Sequence, residues 1–139
     1  MVSLGRIVLA TAFLSATLGI ALSSAEAASE LASVQGAWLE QSMTCDEVFV
    51  AGKKGMTFRK PVNIFAPAMI ISGNKITTPG AVCRVSSVAP VGDKQQLSLS
   101  CSTMISDASI KALVAVRDGR LYRFTSETDP GSRYEHCGP

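Results

Sequence analysis

The chain has 139 residues, with 13 basic and 11 acidic side chains, one histidine and a net charge of +2. So even a balance argues against a nucleic-acid binder held by many phosphate contacts. A lone histidine and four cysteines, none spaced as CxxC or CxxCH, argue against a catalytic zinc site, a redox dithiol and covalent haem attachment.

The first segment, MVSLGRIVLATAFLSATLGIALSSAEAA, carries one positive charge at Arg6. An uncharged run from Ile7 to Leu22 follows, and then small residues ending in Ala25, Glu26 and Ala27. This is the layout of a secretory signal peptide, with A-x-A cleavage after Ala27. The apolar run of roughly 16 residues falls short of the ~20 that a retained membrane anchor needs. Residues 1–27 are therefore expected to be removed and 28–139 to form one domain in the periplasm or outside the cell. No later segment is expected to span a membrane. Without Arg6 and Glu26 the mature chain keeps 12 basic and 10 acidic residues.

From Gly36 onward, nine short runs suit β-strands: GAWLEQSM, DEVFV, MTFRK, AMIIS, KITTP, AVCRVSSV, QQLSLSCST, ALVAVR and RLYRFTS. Turn signals separate them. AGKKG lies between DEVFV and MTFRK. Gly73-Asn74 has the glycine-first form of a type II′ turn, and Asp118-Gly119 suits type I′. One stretch, SDASIKA at 106–112, has a helical option, with Ser106 or Asp107 able to cap a single turn. Strands this close together leave no room for crossover helices, so the expected fold is all-β. We read a small antiparallel meander closed into a barrel of about eight strands, with a β-sandwich as the alternative. Closure would hide the exposed edges of the sheet and make the first and last strands neighbours.

All four cysteines lie in the exported part, which predicts two disulfides in an oxidising compartment. Four cysteines allow three pairings, and the AVCRVSSVAPVGDKQQLSLSCS hairpin favours one of them. With its turn centred on Gly92, Cys83 falls opposite Cys101, Val85 opposite Leu99 and Ser87 opposite Leu97. That register pairs Cys83 with Cys101 and leaves Cys45 for Cys137. A bridge from Cys45 to Cys137 would brace the barrel closure.

Gly36 and Trp38 form a G-x-W at the start of the first strand. This resembles the N-terminal signature of the calycin superfamily, which includes the lipocalins. The resemblance implies that Trp38 packs across the closed end of the barrel, a role also met by simple core filling. In size and export the chain is similar to the bacterial periplasmic inhibitors of secreted zinc metalloproteases, eight-stranded barrels that begin with a short tail and a G-x-W. The second disulfide and the AGKKG loop have no counterpart in that pattern.

Chemistry-bearing residues are sparse. His136 and Cys137 are adjacent and would point to opposite faces of a strand, so they make no nucleophile–base pair. The same holds for Asp46 and Glu47 as a carboxylate pair. No GxSxG elbow or phosphate-cradling glycine loop occurs, and Met43, Met56, Met69 and Met104 are too dispersed for a copper site. Neither an enzyme nor a cofactor is implied. Lys53, Lys54, Arg59 and Lys60 fall within AGKKGMTFRK and offer a possible contact with an anionic surface. Arg117, Arg120 and Arg123 form a second basic set.

Three functions follow as expectations. The first is a non-catalytic, monomeric binding protein that docks a partner protein, a protease or an envelope protein, through its tail or loops, a protease inhibitor being the sharpest form. The second is a lipocalin-like carrier of a small apolar ligand. The third is an envelope-associated accessory protein on an anionic surface. Leu97, Leu99, Leu113, Tyr122 and Phe124 are expected to fill the barrel, which ranks surface docking above carriage.

Overall fold

A computed structural model describes residues 30–139, so the expected leader and its cleavage point lie outside the described residues. A single 3₁₀ turn over Ala32–Val34 precedes β1 (Gly36–Glu40), α1 (Cys45–Val48), β2 (Phe49–Gly52) and β3 (Gly55–Phe58). There follow β4 (Ala68–Ser72), β5 (Lys75–Thr77), β6 (Val82–Val91), β7 (Lys94–Ser102), β8 (Asp107–Arg117), β9 (Arg120–Phe124) and β10 (Ser132–Cys137). Eight of these strands close into a barrel in the order β1-β10-β9-β8-β7-β6-β5-β4. Trp38 marks the seam: on β1 it lies opposite His136 of β10 and opposite Met69 of β4. The barrel replaces the sandwich alternative.

The turns behave as their residues demand. Gly73 and Gly92 take positive φ at the first turn position, where only glycine is at ease, while Asp118 and Gly119 are both positive, as a type I′ turn needs. Both disulfides are present, Cys45–Cys137 and Cys83–Cys101. Cys83 sits directly opposite Cys101 in the β6–β7 ladder, and Val85 opposite Leu99.

Beyond Val85 the register shifts. A bulge at Ser86 sets Val88, rather than Ser87, opposite Leu97. Two valines three residues apart, Val85 and Val88, can both face inward only if one residue is extruded. The Ser86 hydroxyl then donates to the Ser98 carbonyl at 3.1 Å.

Four other expectations need correction. DEVFV is not one strand: residues 45–48 form the one-turn α1, because Thr44 and Glu47 make a reciprocal capping box. The β2–β3 hairpin then stands outside the barrel as its own two-stranded sheet. SDASIKA is strand rather than helix, since β7 offers Asp107 through Ala112 a continuous partner from Ser102 to Leu97. SRYEHC, not among the nine runs, supplies β10 and closes the ring.

Two cores result. One lies inside the barrel around Trp38, Ile71, Ile76, Val85, Leu97, Leu99 and Leu121. The other joins the outer face of β1, through Ala37 and Leu39, to Val48 and Phe49 beneath the β2–β3 hairpin. Phe49 and Phe58 stack there at 5.3 Å. Cys45–Cys137 links α1 to β10 within this second core, so the bridge fastens the outer hairpin onto the barrel seam. Among the described residues no helix is long and apolar enough to cross a membrane.

Candidate functional site: the barrel interior

Side chains alternate across each strand, so the register decides which of them the barrel encloses. Pairing of Leu97 with Ala112 and of Leu99 with Ile110 puts the even positions of β8 on the interior face. Val114 pairs with Arg123 and Val116 with Leu121, so Leu121 and Arg123 are on the inward-facing side of β9, Leu121 buried and Arg123 solvent-exposed at the mouth. Leu113, Tyr122 and Phe124 therefore point outward, against expectation. Both faces of this hairpin are apolar, which left its orientation open to the register of β7. Phe124 is nonetheless buried, under Lys94 at 4.9 Å, Arg117 at 5.4 Å and the glycine backbone at Gly131.

With those three large side chains outside, the interior is hollow. A cavity of about 580 Å³ is bounded by Leu31, Val34, Ile71, Ile76, Leu97, Leu99, Ala112, Val114 and Leu121, with Cys83 in its wall. Its small members, Ala112 above all, leave the interior of the closed barrel unfilled.

The two ends of the barrel differ. Tight two-residue turns at Gly73-Asn74, Gly92-Asp93 and Asp118-Gly119 share one end with the 3₁₀ turn. There Leu31 and Val34 are buried against Trp38, whose indole N–H donates to the Val34 carbonyl at 2.8 Å. Gln35 ties this segment down by donating to the Gly73 carbonyl at 3.1 Å and accepting from the Gly73 N–H at 2.7 Å. His136 packs edge-on against Trp38 at 5.0 Å, over Gly36. The described part of the tail is thus a floor for the barrel rather than a free arm. Longer connections, at 59–67, 78–81, 103–106 and 125–131, surround the other end. The cavity reaches it, since Ile64, Pro79 and Gly80 border it.

That open end carries the most exposed large apolar side chains. Phe65 is 87% exposed, Met104 100% and Ile105 95%, on loops leading into β4 and out of β7, nearly opposite each other around the ring.

One wall of the cavity near the mouth is polar. Glu40 on β1, Tyr134 on β10 and Arg123 on β9 all border it. Glu40 lies directly opposite Tyr134, and Arg123 is diagonal to Tyr134 through its pairing with Ser132. Burial pushes the Tyr134 phenol above its ordinary pKa and the Glu40 carboxylate adds to that, while Arg123 opposes both. The sequence placed Arg123 in a surface set with Arg117 and Arg120. Those two instead pair near the closed end, Arg117 with Asp93 at 2.6 Å and Arg120 with Glu135 at 3.0 Å.

The other basic set does not converge on one patch. Lys53 and Lys54 occupy the tip of the β2–β3 hairpin, whereas Arg59 and Lys60 follow β3 at its far end. Four strand residues separate them by on the order of 13 Å. Arg59 is engaged locally, its Nε donating to the Asp46 carbonyl at 2.8 Å.

No known family matches the chain, and no curated protein and no solved structure is significantly similar to it. The eight-stranded antiparallel closed barrel is consistent with a calycin-like architecture.

Proposed function

We propose that this protein is an exported carrier of a small, mainly apolar ligand held inside its barrel. The observation that carries the reading is the cavity of about 580 Å³, apolar along most of its wall, floored by Leu31 and Val34 at the 3₁₀ turn and open at the loop end. Its size falls within the range of ~300 to 1,000 Å³ typical of small-molecule sites, and a few polar groups in an apolar lining are usual there. Two disulfides support an oxidising location, the periplasm or the exterior. The lipocalin-like carrier, rather than the filled barrel, becomes the leading form of the calycin resemblance.

The test is uptake of an environment-sensitive naphthalene dye by the delipidated protein, alongside Ala112→Trp. Ala112 faces the cavity, so the indole would occupy it. Saturable dye binding that weakens at least tenfold in the variant, with little change in melting temperature, is the expected result. Equal binding to both proteins, or none to either, would remove the reading.

A second reading rests on Phe65, Met104 and Ile105, large apolar side chains exposed on separate loops around the same barrel end, where they could grip a partner laid across the mouth. Here the loops, rather than the tail, would engage a partner such as a secreted zinc metalloprotease. Inhibition that survives Phe65→Ser with Met104→Ser would eliminate it.

A further inference from the structure

The cavity wall is chemically divided along the barrel axis. Toward the floor it is formed by Leu31, Val34, Leu97 and Leu121, while near the mouth Glu40, Tyr134 and Arg123 lie side by side on β1, β10 and β9. Adjacent strands are about 4.8 Å apart and Arg123 is offset by two residues, about 6.6 Å, so the backbones of Glu40 and Arg123, two strands apart, are about 12 Å apart, with Tyr134 between them.

Arg123 stands out among the basic residues of this part of the barrel. Arg117 pairs with Asp93, and Arg120 and Arg133 both reach Glu135, at 3.0 and 3.2 Å. Among the described residues no carboxylate lies within 4.0 Å of Arg123. A guanidinium with unused donors at the edge of an apolar cavity is a receptor for a planar anion, since its fork matches the two oxygens of a carboxylate. Tyr134, only 5% exposed, borders the same space, and its phenol can donate as a further point of contact.

Resting on the carrier reading, we infer that the ligand is an amphiphile with an anionic, carboxylate-type head. The head is held at the mouth by Arg123 and Tyr134, and the tail runs toward the floor at Leu31 and Val34. Glu40, on the other side of Tyr134, repels a head on its own side and so directs it to Arg123.

Displacement of the bound naphthalene dye by decanoate, decanol and decylamine tests this on the oxidised, delipidated protein. Decanoate should bind at least tenfold more tightly than decanol and decylamine more weakly than both. Arg123→Gln should abolish the advantage of the acid while leaving decanol unchanged, and Arg123→Lys should restore part of it. The preference should also shrink as salt is raised. Equal affinity for acid and alcohol in the native protein would overturn the head-group assignment and leave the carrier reading standing. Preference for decylamine would overturn it in favour of Glu40 as the receptor. Absence of dye uptake by the native protein would overturn both readings. Intact decanol binding by Arg123→Gln serves as the check that this variant has folded.

Discussion

Gly36 is required by two independent constraints, and substituting alanine tests them separately. Its φ is +111°, a conformation that side-chain-bearing residues rarely adopt, and holding alanine there costs about 1 to 3 kcal/mol. A Cβ at this position would also collide with the His136 ring. Moving that ring sacrifices its edge-to-face packing on Trp38, at 5.0 Å and 77°, which contributes about 0.5 to 1.5 kcal/mol. Together these predict that Gly36→Ala destabilises the oxidised protein by about 1.5 to 4.5 kcal/mol in denaturant unfolding, with an unchanged m-value. In a His136→Ala background the collision is gone, and only the backbone cost should remain. The coupling between the two positions should therefore be about 0.5 to 1.5 kcal/mol. A single-variant cost below about 1 kcal/mol would refute the conformational argument. Identical costs in the two backgrounds would refute the contact with His136.

Leu31→Ala should cost about 2 to 5 kcal/mol, because this residue is buried in the floor; a loss under about 1 kcal/mol would mean that the 3₁₀ turn is dispensable. Trp38→Phe should cost about 1 to 3 kcal/mol from the stranded Val34 carbonyl alone, read by urea unfolding against native protein. Cys45 and Cys137 are 92 residues apart and Cys83 and Cys101 only 18, so replacing the first pair by serine should cost more, about 4.6 against about 3 kcal/mol. Asp129 accepts bonds from the Thr125 hydroxyl, the Thr125 N–H and the Gly131 N–H, which hold its carboxyl down to about 2. A depressed folded-state pKa contributes stability above the unfolded value of 3.8 that is lost as pH falls toward 2. NMR should therefore show the 125–131 loop loosening over that interval, and Asp129→Asn should remove the transition.

The sequence was most informative where local chemistry and tertiary packing agree. Alternation around Gly92 set Cys83 against Cys101, and glycine placement fixed the turns at Gly73 and Asp118. It misled where two patterns competed. Val114, Val116 and Leu121 on one face of the β8–β9 hairpin are as apolar as Leu113, Tyr122 and Phe124 on the other, so only pairing with β7 decides which set is enclosed. That one choice separates a filled barrel from a hollow one. Other signals were present but outweighed. Ala108, Ile110 and Ala112 alternate within SDASIKA, Thr44-x-x-Glu47 spells a capping box, and the Val85–Val88 spacing announces the bulge. β10 offered almost no apolar alternation, because SRYEHC is recruited by its neighbours on both sides of the seam. The polar wall was unreadable for a related reason: Arg123 and Tyr134 share the consecutive strands β9 and β10, whose pairing the sequence did not reveal, and only barrel closure brings Glu40 of β1 beside them.

Native mass spectrometry of the untagged, unreduced protein recovered from its own cell envelope or culture fluid tests the central claim most directly. The account predicts a population carrying a single small-molecule adduct, acidic when released, that disappears in Ala112→Trp. A bare protein mass, four hydrogens lighter than its reduced mass because of the two disulfides and without adduct under any recovery condition, would contradict it.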